Sequence, residues 1–172
     1  MGVFSKVGAL FGSNDPEKKD GFDVNKPVSN PKLKKAITDF IRVRADVNVR
    51  LLKQELMAAN FLQLVLKDGL DIKQTDEVGG STLTVEKDGL IKFLSISDAE
   101  DNSFSLLFTD WEEANLWCKG EHDVVGWISP AREVFETALR NHDSTGVIIN
   151  PGSKLIRLDR ELLKELLKEN PQ

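Results

Sequence analysis

The sequence predicts an α+β fold, a single domain with a mixed, largely antiparallel sheet flanked by amphipathic helices, and three observations carry that expectation. Short apolar runs bounded by turn residues recur: Phe61 to Leu66, Ser103 to Phe108, and Gly146 to Ile149 leading into Asn150-Pro151-Gly152. Between them lie segments whose apolar residues repeat at the helical period. Composition is globular, with 40% hydrophobic and 30% charged residues in a chain of 172, enough to bury one sizeable core.

Taken in order, Val3, Phe4, Val7, Leu10 and Phe11 make a short amphipathic segment over residues 1 to 12. Asn, Asp, Lys, Gly and Pro dominate from Ser13 to Ser29, which reads as a linker. Residues 1–29 thus stand apart from a domain over 30–170. Asn30 is placed to cap a helix with Pro31 in its first turn, and Leu33, Ala36, Ile37, Phe40 and Ile41 give it a core face. A second helix over 46–59 turns Leu51, Leu52, Leu56 and Ala59 inward, with Asn60 as a left-handed cap.

The run Phe61 to Leu66 is apolar enough for a central strand. After a polar interval with room for an edge strand, Ser81 to Glu86 and Leu90 to Ile96 predict a hairpin around Asp88-Gly89. The strand Ser103 to Phe108 follows an acidic loop, Asp98 to Asn102, and runs into a capping box, Thr109 with Glu112, that opens a helix reaching Cys118. A short strand, Val124 to Ile128, precedes a helix capped by Ser129-Pro130, with Ala131, Val134, Phe135, Ala138 and Leu139 on its inner face. Asn150-Pro151-Gly152 then predicts a turn with positive φ at Gly152. Leu155 to Leu158 is the return strand, and Asp159 caps a closing helix carrying Leu162, Leu163, Leu166 and Leu167.

Charge and cysteine content exclude several classes. A net charge of -5 disfavours a nucleic-acid partner, which recruits clustered Lys and Arg. The charge is uneven: residues 31 to 58 hold seven basic and three acidic side chains, whereas 98 to 123 hold one basic and eight acidic. Two segments of opposite sign either face each other or present a surface to a partner. The single Cys118 forms no internal disulfide and fits a reducing compartment. No apolar run approaches the ~20 residues of a membrane span. With no secretory leader visible, the expectation is a cytoplasmic protein without stable membrane association.

The chemistry-bearing residues are sparse. Cys118 precedes His122 by four residues, but two ligands fall short of a structural zinc site, and a Cys-His nucleophile would need an orienting group that the sequence does not place. Acidic neighbours Glu121 and Asp123 would raise the thiol pKa. The loop from Asp98 lacks both the Gly and the Glu of a calcium loop, and phosphate-binding glycine motifs are missing. The expectation is therefore no catalytic residue, no metal and no cofactor.

Trp111, Trp117 and Trp127 are the feature with a binding character, since tryptophan anchors interfaces and these three lie among acidic side chains. They predict a protein-contact surface of Trp111, Glu112, Trp117 and Trp127, with the turn at Asn150 nearby. The opposing reading buries them as core.

Asn30-Pro31 with Leu33, then Phe108-Thr109-Asp110, then Gly146 through Gly152 and the closing helix resemble the N-terminal domain of the SseB, or enhanced serine sensitivity, family of bacterial proteins, over roughly residues 30 to 168. The resemblance implies a bacterial cytoplasmic protein without an assigned catalytic mechanism, linked by name to serine sensitivity in amino-acid metabolism. Longer members carry a second, C-terminal domain, and with the sequence running only to Pro171-Gln172 the expectation is of the first domain alone.

The expected function is a non-enzymatic, regulatory or adaptor-like domain acting on an unknown protein partner. Two alternatives stand beside it: a small-molecule-binding or enzymatic domain with a cleft near Thr109, Asp110, His122 and Asn150, and an immunity protein whose acidic surface neutralises a basic toxin.

Overall fold

A computed structural model of the chain describes residues 8–9, 28–66, 73–77, 80–84, 91–119 and 124–169. The elements run β1 (Gly8–Ala9), α1 (Pro31–Arg42), α2 (Asp46–Ala58), β2 (Asn60–Leu66), β3 (Lys73–Glu77), β4 (Gly80–Thr84), β5 (Lys92–Phe93), β6 (Ser95–Ser97), β7 (Ser103–Leu107), α3 (Trp111–Cys118), β8 (Val124–Pro130), α4 (Ala131–Arg140), β9 (Ser144–Ile149), β10 (Ile156–Asp159) and α5 (Arg160–Glu169). This is the predicted α+β architecture.

The strands form two four-stranded sheets, ordered β1-β5-β2-β8 and β10-β9-β7-β6, plus the pair β3-β4. Among the described residues the sheets are bridged where Leu62 and Phe108 exchange both backbone hydrogen bonds at 2.9 Å. One pairing, β7 with β9, is parallel, because the chain between them crosses through α3, β8 and α4; the other pairings are antiparallel.

Two cores follow from the alternation of side chains along strands. Phe61 and Leu107 face α1, α2, α4 and α5 and pack with Leu33, Leu56, Phe135 and Leu163. Leu62, Leu64, Leu106 and Phe108 face the other way and pack under α3 with Ala114 and Cys118. Burial on both faces explains why β2 is apolar at five of the six positions from Phe61 to Leu66, with only Gln63 polar, rather than alternating.

Several local expectations shift. Ile41 and Leu51 are exposed rather than core, lying at the margins of their helices' inner faces. Asn60 begins β2 instead of capping α2. Among the described residues β4 pairs with β3, not with the segment after it; the predicted hairpin tip at Asp88-Gly89 lies outside the described residues. Of the segment over 1 to 12, whose apolar residues recur at helical spacing, Gly8–Ala9 is a strand paired with β5 rather than helix, and the rest lies outside the described residues. The cap of α4 is Pro130, not Ser129, which ends in β8. Asp159 does cap α5, accepting from the Leu162 N–H at 2.9 Å. No local pattern marked Arg160, whose guanidinium donates to the carbonyls of Ala138, Leu139, Asn141 and Ser144. It closes the C-terminus of α4, where carbonyls lack helical partners and a cation is favoured.

The turn after β9 is the largest revision. Positive φ falls on Asn150, at 52°, and not on Gly152. The Ser153 N–H closes the turn on the Asn150 carbonyl at 3.2 Å. Gly152 answers a packing demand instead: a Cβ there would stand 3.2 Å from the Trp117 nitrogen and 3.3 Å from the Leu116 carbonyl carbon.

Candidate functional site

Three segments far apart in sequence, Asn30-Pro31, Phe108-Thr109-Asp110 and Asn150-Pro151-Gly152, meet where β7 ends and α3 begins. Thr109 is their centre and is fully buried. Its N–H donates to Asn150 Oδ1 at 3.0 Å, and its carbonyl accepts from Asn30 Nδ2 at 2.7 Å. Asn150 Nδ2 returns a bond to Thr109 Oγ1 at 3.0 Å, while Asn30 Nδ2 also reaches the Asn60 carbonyl at 2.8 Å. Two side-chain amides thus satisfy the backbone on both sides of Thr109, at a position where no strand partner does so. Asn30 is spent on this tie and makes no side-chain cap to α1.

With the Thr109 hydroxyl engaged, the cap of α3 passes to Asp110, which accepts from the Glu113 N–H at 3.0 Å. The N-cap therefore lies one residue later than Thr109 and Glu112 predict. Lys34 of α1 reaches across to Asp110 at 3.0 Å, Glu112 at 3.2 Å and Glu113 at 3.5 Å. The basic and acidic halves do face each other here. Burial pulls the Lys34 ammonium down, but hydrogen bonds to Asp110 and Glu112 and the charges of Asp110 and Glu113 outweigh it and hold its pKa above the ordinary lysine range. Glu113, itself buried, also accepts from Ser153 Oγ, which ties the turn to α3.

The predicted contact residues separate. Trp111 is 38% exposed, and the Glu112 side chain is 78% exposed. The Trp111 indole rests on β8 at Gly126, where a Cβ would come within 2.4 Å of Cζ2. Trp127, the next residue, projects from the opposite face of that strand; its ring meets Phe93 edge-on at 6.3 Å and its Nε1 donates to Ser129 Oγ. Trp117 is half-buried against Phe108 at 5.9 Å. The three tryptophans are neighbours in sequence and not one patch in space. Asn150, 2% exposed, drops out of the contact surface because its amide is consumed by Thr109. Leu116, 52% exposed, lies beside Glu112. Its signal was available: one turn beyond Glu112 it shares the outer face of α3.

Of the alternative cleft, Thr109 and Asn150 are closed upon each other, Asp110 is paired, and His122 lies outside the described residues. Cys118 is buried, and burial pushes its thiol pKa up. The direction matches the expectation, and desolvation drives it; Glu121 and Asp123 lie outside the described residues. Asp98 is spent on its own loop, accepting from the Glu100 and Asn102 N–H groups at 3.0 Å each. Among the described residues no helix is long and apolar enough to cross a membrane.

Bridged sheets with three turn segments knotted by side-chain amides define an α+β domain in which the start of α3 is fixed from both ends of the chain. The family model described as SseB protein N-terminal domain matches residues 33–165. The chain belongs to the SseB family. No curated protein and no solved structure matches it.

Proposed function

We propose that the chain is a non-enzymatic domain of the bacterial cytoplasm, regulatory or adaptor-like, that acts through protein contacts made by the outer face of α3. A link to serine or other amino-acid metabolism is the setting the family name suggests. One observation carries the reading: Trp111 is exposed beside the Glu112 carboxylate and yet seated on Gly126, so a large anchor is held in place before any partner arrives. An anchor already ordered loses less entropy on binding. Glu112 and Leu116 flank it, which calls for a partner with apolar and basic side chains.

The test is a pull-down from native cytoplasm with wild type, Trp111→Ala and Glu112→Lys. Both variants are expected to lose the partner while keeping the wild-type circular dichroism spectrum. Equal recovery by all three would sink the reading.

A further inference from the structure

The outer side of α2 is apolar where a surface helix is ordinarily polar. Leu52 and Leu56 are buried in the core, yet Val47 and Leu51 on the other side are 69% and 37% exposed, and Gln54 and Ala58 are exposed with them. The neighbouring α1 keeps the ordinary pattern: Leu33, Ala36 and Ile37 are buried while Lys32, Lys35 and Arg42 face water. Residues 47, 51, 54 and 58 are spaced by four, three and four, so they fall in one line along the helix, at the a and d positions of a two-helix seam.

The residues beside that line add a second observation. With Leu51 and Ala58 at a, and Val47 and Gln54 at d, Arg50 stands at g and Glu55 at the following e. Residues five apart lie on opposite flanks of one helix and do not reach each other, and among the described residues no ion pair within the chain engages either of them. Between two parallel helices, the g residue of one meets the next e residue of the other. Arg50 of each copy then faces Glu55 of the second copy, once on either side of a two-fold axis. Antiparallel helices set g against g and e against e, which leaves both charges unanswered.

We infer that the chain self-associates through α2, two copies lying parallel about a two-fold axis with Val47, Leu51 and Ala58 in the seam and Arg50 paired with Glu55 on both flanks. A second copy is the occupant because one helix supplies both members of the ion pair, at the spacing that only a second such helix answers. Gln54 opposes itself across the axis, where an amide both donates and accepts; a polar residue inside such a seam fixes register at a cost in strength. α2 has 13 residues, short of two heptads, and a free peptide of that length does not hold a helix in water. Within the domain α2 is already built against α1 and α4, so association orders no backbone. The seam is short, and the dimer is accordingly weak.

Sedimentation equilibrium of the full chain, over concentrations from about 1 µM to about 1 mM, is expected to show a monomer–dimer equilibrium. Leu51→Lys is expected to remain a monomer with the wild-type circular dichroism spectrum; should it lose that spectrum, Val47→Lys, at a more exposed position, takes its place. Arg50→Glu and Glu55→Arg each set like charges across the seam, and each is expected to weaken the dimer about tenfold or more. Mixed in equal amounts the two variants are complementary and are expected to form a heterodimer. Gln54→Cys is expected to give a disulfide-linked dimer on mild oxidation, which wild type, with Cys118 buried, does not form. A wild-type chain that stays monomeric throughout the range overturns the inference and leaves the seam to a helix of another protein. Self-association indifferent to Leu51→Lys, charge variants that do not recover on mixing, or a Gln54→Cys chain that does not cross-link overturns it as well. Trp111→Ala, on another helix, is expected to dimerise like wild type, so failure here is separable from failure of the α3 reading.

Discussion

Asn150 holds a φ of 52° and spends both ends of its amide on Thr109, which makes it the residue where backbone conformation and tertiary contact depend on the same side chain. Asn adopts the left-handed region more readily than other non-glycine residues because its short amide bonds locally. Asn150→Leu leaves the buried Thr109 N–H unpaired and strains the backbone, at an expected cost of about 2–4 kcal/mol by urea denaturation. Gly146→Ala is expected to cost a similar ~2–4 kcal/mol, since a Cβ there would stand 2.2 Å from the Leu158 carbonyl oxygen. Gly152→Ala should stay within about 1 kcal/mol of wild type, because a tight but yielding contact with α3 opposes the entropy that alanine removes from the unfolded chain. The Asn-Pro-Gly motif marked the turn correctly. It misplaced the positive φ because Asn and Gly both tolerate that region, and only the bond to Thr109 decides between them.

The start of α3 depends on α1 through Lys34. Lys34→Met removes the cation that faces Asp110, Glu112 and Glu113, and is expected to cost about 1–3 kcal/mol, limited by solvent access to the pair. Because the folded-state pKa of Lys34 is raised, its contribution is complete below the ordinary lysine value of 10.5 and fades as pH climbs through the raised value. The stability gap between wild type and Lys34→Met should therefore close above that pH and not below it, as urea midpoints measured across alkaline buffers would show. Cys118 at the other end of α3 is held neutral by burial, so a thiol reagent should label the native protein more slowly than the unfolded chain at the same pH; equal rates would place Cys118 outside the core. The sequence marked this helix but not its register. Thr109 with Glu112 and Asp110 with Glu113 satisfy the same capping spacing, and the choice is made by Asn150, forty residues downstream, when it takes the threonine hydroxyl.

For the molecule as a whole, the elements were legible because periodicity and caps are local signals, and β2 announced its two-sided burial through apolar residues at successive positions on either side of Gln63. Sheet partition was not, since the Leu62–Phe108 bridge that joins the two sheets leaves no pattern in either strand. The contact surface was half legible. Proximity in sequence grouped Trp111 with Trp127, whereas strand alternation sends Trp127 to the face opposite the one Trp111 covers. What remains is one ordered, exposed indole on α3, fixed by a knot drawn from Asn30, Thr109 and Asn150. The most direct test of the proposed contact surface is the emission of Trp111 alone, in a chain carrying Trp117→Phe and Trp127→Phe, before and after adding the partner captured by wild type. A red-shifted, acrylamide-quenched emission that moves to the blue and becomes shielded on binding is the predicted result; an emission already fully blue-shifted in the free protein, or one unmoved by the partner, would contradict it.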